Sequence, residues 1–323
     1  MHALITGAAG QDGILLAHRL ASAGEDVSGL VKPGTDTTTL RRYAPDLRVI
    51  EADLADVEAL TRLVRDIEPD EIYNLAGVSS IVDSWSEPDM TRRLNVDAVS
   101  ALLEAAESLT NPARFLEASS GAIFEGVSEA PQNESTTPAP ISPYASSKAA
   151  AMALVRDARE RGLHACSAIL YNHESPLRGA GFVTRRISQQ VALIGAGRAQ
   201  TVELGSLDVR RDWGWAPDYV DGMVRMMRTP DADDFILATG RVHLLEQFLA
   251  SAFAAIGIDD WRPYVISRPD LRRAVDPSVL CGDASAAYQR LGWSHTKEFS
   301  EIAGAMVTHD LALLSDPSAL WWP

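Results

Sequence analysis

The sequence has two cysteines in 323 residues, Cys166 and Cys281, far apart and in no paired motif, so neither a disulfide framework nor a zinc site is expected. His173 has no second histidine at ligand spacing, and no metal is expected there. No apolar run approaches the ~18 residues that a membrane-spanning helix requires. Positive charge is scarce: 29 Lys and Arg stand against 44 Asp and Glu, a formal charge of −15. Such a surface repels a phosphate backbone, which argues against nucleic acid as the general partner but leaves room for a small anion in a locally basic pocket. Residues 1–6 show no charged segment and no small-residue cleavage pattern, so a cytoplasmic, soluble protein with no membrane partner is expected. Internal repeats and low-complexity segments are also missing.

What is present is 46% hydrophobic residues, enough at this length for one large α/β unit or two interleaved domains. Short apolar runs at 3–6, 26–31, 47–52, 71–76, 113–118 and 165–171 read as strands. Helical spacing occupies 14–23, 57–67, 91–109 and 144–160 between them. The alternation predicts a doubly wound parallel sheet of Rossmann type, with a smaller C-terminal substrate domain. The expected division is a dinucleotide-binding domain over 1–171, with 217–240 returning to it, and a substrate domain over 172–216 and 241–323.

Gly7-Ala8-Ala9-Gly10-Gln11-Asp12-Gly13 follows the first strand and opens the first helix. Glycines there let the backbone turn tightly and approach a pyrophosphate at the helix N-terminus. A NAD site carries an acid at the end of the second strand. Here that place reads Val31-Lys32, so Lys32 favours the 2′-phosphate of NADP, with NAD as the alternative. Asp53-Leu54 after the third strand suits an adenine contact, or else caps its loop. Tyr144 and Lys148 lie four residues apart on one helical face. The ammonium would lower the phenol's pKa and bind the nicotinamide ribose, making Tyr144 an acid–base group for a sugar hydroxyl. Ser119-Ser120 closes the fifth strand, where a hydroxyl can hold the reacting oxygen.

Taken with the stretches TGAAGQDG (6–13), IYNLAG (72–77), SPYASSK (142–148), YNHESPLRG (171–179), FVTRR (182–186), LGSLDVRRDWG (204–214), FILATG (235–240) and 282–293, the chain resembles the extended short-chain dehydrogenases/reductases, and within them the GDP-mannose 4,6-dehydratase family. The resemblance spans nearly the whole chain. It implies GDP-mannose or a derived GDP-hexose as substrate, a homodimer built on paired long helices or a tetramer, and catalytic roles for Ser120, Tyr144 and Lys148. It implies cofactor contacts at Gly7, Gly10, Gln11, Asp12, Gly13, Lys32, Asp53, Leu54, Leu75, Ala76, Tyr144, Lys148 and His173. Substrate contacts are implied at Ser79, Asn172, Glu174, Arg178, Val183, Arg185, Arg211, Arg273 and Asp276. On the residues themselves, Asn172 suits the pyrophosphate or sugar, and Arg178, Arg185, Arg211 and Arg273 suit a diphosphate. The alternative is that each arginine pairs with an acid such as Asp208, Asp212 or Asp276. Trp213 and Trp215 suit packing or base stacking, and Trp321-Trp322 a docked tail or a subunit contact.

The departures from the family pattern are specific. The family's Thr-x-Glu triplet, whose glutamate removes the C5 proton, becomes Ser120-Gly121-Ala122, and Ala122 cannot take a proton. Glu125 lies three residues on. The loop between Lys32 and Leu47 lacks an arginine-bearing insertion, and 257–273 is trimmed. Three readings follow: a GDP-mannose 4,6-dehydratase-like enzyme with its C5 base replaced, a C4 reductase or epimerase of a GDP-(4-keto-6-deoxy)hexose, and a non-catalytic nucleotide-binding paralogue.

Overall fold

A computed structural model describes residues 1–268 and 279–321. Its strands are β1 (His2–Thr6), β2 (Asp26–Val31), β3 (Arg48–Glu51), β4 (Glu71–Asn74), β5 (Arg114–Ser120), β6 (Ala165–Leu170), β7 (Asn172–Glu174), β8 (Val202–Leu204), β9 (Arg210–Trp215), β10 (Phe235–Leu237), β11 (Val242–Leu244) and β12 (Val265–Ser267). The helices are α1 (Gln11–Ser22), α2 (Thr38–Tyr43), α3 (Val57–Ile67), α4 (Ile81–Ser86), α5 (Pro88–Arg92), α6 (Ala98–Ser108), α7 (Pro143–Glu160), α8 (Val183–Gly195), α9 (Ala216–Arg228), α10 (Leu245–Ala254), α11 (Ser285–Leu291) and α12 (Phe299–Ser315).

Seven strands form one parallel sheet in the order β10-β6-β5-β4-β1-β2-β3, the doubly wound arrangement. One face is covered by a core that includes Leu15 and Leu16 of α1 and Met223 and Met227 of α9. The other is covered by α3, α6 and α7 through Leu60, Leu102, Ala151 and Val155. Strands buried on both faces read as continuous apolar runs, which is why they were legible. A separate core under α8, α10 and α12 holds Phe248, Phe253, Trp261 and Met306.

Two elements differ from expectation. The helix over 91–109 is broken: Arg93–Asp97 forms a π-helical turn between α5 and α6. The wider turn carries Asn95 inward, where its amide accepts from Val78 N at 2.8 Å and donates to Val78 O and to Ser147 Oγ, each at 3.0 Å. The sixth strand ends at Leu170, and Asn172–Glu174 then leaves the main sheet to pair with Trp213–Trp215 of β9 in a three-stranded sheet, β11-β9-β7.

Trp213 and Trp215 are core residues, Trp213 stacked on Phe299 at 5.7 Å and Trp215 edge-on to Trp321 at 5.0 Å. Trp321 N also donates to Tyr43 Oη at 2.9 Å, so this end of the chain docks on the body, while Trp322 lies outside the described residues. No described helix is long and apolar enough to cross a membrane. Among the described residues no three His, Cys, Asp or Glu side chains gather where they could hold a metal ion.

Candidate active site

The glycine turn joins β1 to α1 with the geometry its residues demand. Gly7 sits at φ +67°, and a Cβ there would come within 2.9 Å of Ala76 N. A Cβ on Gly13 would lie 2.4 Å from Gly7 O, so only glycine lets α1 start this close to the turn. Gly10 N donates to Gly7 O at 2.9 Å and Gly10 caps the helix.

Gln11 and Asp12 lean toward β7. Gln11 Nε2 donates to His173 O at 3.1 Å, and Ser175 Oγ donates to Gln11 Oε1 at 2.8 Å. Asp12 Oδ2 meets His173 Nε2 at 2.9 Å, while His173 Nδ1 faces Tyr171 O at 2.7 Å and the ring stacks on Tyr219 at 4.6 Å. Burial alone would push the Asp12 carboxyl up. The His173 and Arg178 charges and the hydrogen bonds from His173 and Gln11 outweigh it and hold the group below its usual range.

Lys32 follows β2 and is exposed, and its ammonium makes no ion pair among the described residues. Asp53 is exposed and its Oδ1 accepts from Ala55 N at 2.9 Å, the loop cap, while Leu54 packs half-buried against the α3 core. Leu75 and Ala76 follow β4 beside the glycine turn, and Ser79 is exposed just before α4.

Tyr144 and Lys148 occupy the first two turns of α7. Ser142 caps that helix by accepting from Ala145 N at 3.1 Å, and Pro143 takes the first position, where a missing N–H costs nothing. Ala122 packs directly with Tyr144 and Ala145, its side chain 7% exposed. Ala122, expected from the sequence to offer no proton acceptor, thus presents a methyl group in the cluster that holds Tyr144. Ser120 Oγ accepts from Ala122 N at 3.2 Å, whereas Ser119 Oγ is enclosed with no hydrogen-bond partner among the described residues. Glu125, one turn past Ala122, is buried and accepts from Ser142 Oγ at 3.2 Å, at the start of α7.

The lysine has a partner that sequence reasoning missed. Lys148 Nζ donates to Glu117 Oε1 at 2.8 Å and to Ala118 O at 2.7 Å. Glu117 lies within β5 and is fully buried. Burial pushes both groups toward neutrality. For Lys148 the Glu117 and Tyr144 charges overcome it, raising its pKa, whereas for Glu117 burial prevails over Lys148 and Asn74 and its pKa is also raised. The signal was an acid directly after the apolar pair Phe115-Leu116 inside a strand of the sheet, which when buried has to find a countercharge.

The family model for GDP-mannose 4,6-dehydratase matches residues 4–306. The chain belongs to the GDP-mannose 4,6-dehydratase family. It is 38% identical to GDP-mannose 4,6 dehydratase 2 of Arabidopsis thaliana over 96% of this chain and 87% of that protein. Among solved structures it is similar to UDP-glucose 4-epimerase of Thermus thermophilus in complex with NAD, with a TM-score of 0.83, 25% identity, and 96% and 99% of the two chains covered. RMD from Pseudomonas aeruginosa complexed with NADPH shares the fold at a TM-score of 0.79 and 22% identity, over 96% and 97%.

Within this member of the GDP-mannose 4,6-dehydratase family the three expected arginines that lie among the described residues, Arg178, Arg185 and Arg211, are each held by different partners. Arg178 stacks on Phe182 at 3.6 Å and lies 3.3 Å from Glu174, whose other contact is Thr184 Oγ1 at 2.6 Å. Arg185 is turned to α12, where it pairs with Asp310 and bonds Ser188 Oγ. Neither partner acid is one that the sequence suggested. Arg211 is buried in β9 and donates to Arg210 O at 2.6 Å. Asp212 holds Thr239 and Gly240 and pairs with no arginine among the described residues. Asn172 is half-buried in β7, and Val183 opens α8, packed on the third core. Arg273 and Asp276 lie outside the described residues.

Proposed function

We propose that the protein is an NADP-dependent enzyme of the GDP-mannose 4,6-dehydratase type that acts on a GDP-hexose, with Tyr144, Lys148 and Ser120 as its catalytic residues. The observation that carries this is the buried Tyr144–Lys148 pair on α7 beside the end of β5, in a chain that matches this family over residues 4–306. The residues fit a dinucleotide: the glycine turn leaves no room for a Cβ at Gly7 or Gly13. Gly7, Gly10, Gly13 and the first turn of α1 would hold the pyrophosphate, with Asp53 and Leu54 near the adenine and Leu75 and Ala76 along the ribose. When bound, the nicotinamide would accept hydride from C4 of the sugar and give it back at C6 once water has been lost across C5–C6, leaving C4 as the ketone. Tyr144 takes the proton from the C4 hydroxyl, Ser120 orients that oxygen, and Lys148 holds the ribose and favours the phenolate. In this reading 1–171 with 217–240 holds the dinucleotide, and 172–216 with 241–323 holds the GDP-hexose through Asn172, Arg178 and Arg211. The enzyme works in the cytoplasm.

Ala122 favours a second reading, a C4 reductase or epimerase, since that chemistry needs no C5 base. Incubation with GDP-mannose and NADP, followed by mass analysis of the nucleotide sugars, is expected to show a product lighter by one water. An unchanged mass, with reduction of an offered 4-keto sugar, would move the assignment to the second reading.

The NADP preference rests on Lys32 and on the absence of an acid at the end of β2. NADP is expected to bind more tightly than NAD, and Lys32→Ala to narrow the gap by about tenfold, the worth of one charge-assisted hydrogen bond. Equal affinities in the parent protein would refute the preference.

A homodimer is proposed through α6 and α7. Beside them α4 and α5 expose Val82, Trp85 and Met90, at 61, 63 and 40%, an apolar patch that a second copy would cover. Light scattering at micromolar concentration is expected to give about twice the 34.9 kDa chain mass, and the monomer mass would exclude the dimer.

A further inference from the structure

The bonds around Glu117 run in one direction. Ala76 N–H can only donate, and it donates to Thr6 Oγ1 at 3.1 Å. The Thr6 hydroxyl donates onward to Asn74 Oδ1 at 2.6 Å, which turns the amide nitrogen of Asn74 toward Glu117 Oε2. From the other side the Lys148 ammonium, a donor only, meets Glu117 Oε1. Both oxygens of Glu117 therefore receive hydrogen bonds and neither has an acceptor to give one to. This pattern is satisfied by the carboxylate and by no protonated or amide form in the same orientation. All four side chains are buried: Thr6, Asn74 and Glu117 at 0% and Lys148 at 6% exposure. The chain links the backbone beside the glycine turn to the ammonium on α7.

We propose that Glu117 is a positioning residue for the reaction, holding the Lys148 ammonium in place and, as its buried countercharge, setting how strongly that ammonium favours the Tyr144 phenolate. Two of the three Lys148 protons go to Glu117 Oε1 and Ala118 O, so the third has a fixed direction before any ligand arrives. Among the described residues the charges acting on Lys148 are those of Glu117 from β5 and Tyr144 from α7. The other residues bonded to the start of α7 are Ser84 from α4, which accepts from Tyr144 N, Asn95 from the π turn, which bonds Ser147, and Glu125, which bonds Ser142. The proposal rests on the assignment of Tyr144 and Lys148 as the reacting pair.

The test reads Tyr144 directly and needs no substrate. Tyrosinate absorbance is titrated with pH in each background and again with Tyr144→Phe, and the difference isolates Tyr144. Glu117→Gln removes the countercharge and is expected to lower the Tyr144 midpoint by about one pH unit or more. It also sets two amide nitrogens, of Gln and of Asn74, against each other, so its melting temperature should fall. The double variant Asn74→Asp with Glu117→Gln restores every bond: Thr6 donates to the new aspartate, the new glutamine donates to it as well, and Lys148 donates to the glutamine oxygen. Its melting temperature should recover while the Tyr144 midpoint stays below that of the parent, because the negative charge now sits one residue farther from Lys148. Should Glu117→Gln not fold, the double variant carries the test alone. A midpoint that returns to the parent value with the melting temperature would make Glu117 a residue of the fold only. A double variant no more stable than Glu117→Gln would overturn the bond directions. A turnover assay of Tyr144→Phe separates this from the functional reading: retained turnover there would sink the reading, while unmoved midpoints sink the proposal.

Discussion

Tyr144→Phe is expected to reduce turnover by about 10²–10⁴ while leaving cofactor affinity in place, since it removes one proton-carrying oxygen and keeps the ring. The ring is needed where it is. It packs with Ala122 and Ala145, and its backbone nitrogen donates to Ser84 Oγ at 3.2 Å, so the helix start should survive the substitution. Lys148→Ala should lower both turnover and cofactor affinity, because it removes the ribose donor and leaves the Glu117 carboxylate buried without its countercharge. Binding titrations of NADP beside steady-state rates check both, and full turnover in the Phe variant would take Tyr144 out of the mechanism.

Ala122→Glu should raise formation of a 4-keto-6-deoxy product from GDP-mannose by roughly 10²–10⁴, the usual worth of a positioned base. The side chain would enter next to Tyr144 from the turn Gly121–Phe124, close to the phenol that meets the C4 oxygen in the proposed mechanism. In the proposed mechanism C4 oxidation uses Tyr144, Lys148, Ser120 and the cofactor and no base at C5, whereas elimination across C5–C6 needs a base within about 3 Å of the proton. Glu125 is held by Ser142 at the start of α7, so Glu125→Gln should leave product formation unchanged unless that carboxylate serves as the base. Rapid dehydration by the parent protein that survives Glu125→Gln would refute this account of the site. No gain from Ala122→Glu, with ready reduction of a 4-keto sugar, would favour the reductase reading.

The sequence showed most clearly those parts whose physics is local. The glycine turn needs Gly7 and Gly13 for steric reasons within one strand–turn–helix unit, and the spacing of Tyr144 and Lys148 follows from a single helix with its Ser-Pro start. What it hid depends on contacts between distant segments. Arg185 finds Asp310 across to the last helix, so nearby acids were poor guides to its partner. The π turn at Asn95 was invisible because 91–109 has good helical spacing, and only the need of Val78 for a donor and an acceptor explains the extra residue. Glu117 was within reach of the sequence, as the lone acid in a buried strand, but its pairing with Lys148 requires knowing that α7 packs on β5.

The last strand of the main sheet, β10, has a consequence for how the chain is made. It pairs with β6, yet all of 171–234 intervenes, and every residue of β6 is buried in the finished protein. During synthesis β6 therefore emerges as an open apolar edge. At typical elongation rates it waits on the order of several seconds for Phe235–Leu237 to cover it. Unpaired edges of this kind template association with other chains. A ribosome stalled between these two strands would release a nascent chain prone to aggregate, and a fragment ending near Tyr171 would carry the same exposed edge permanently.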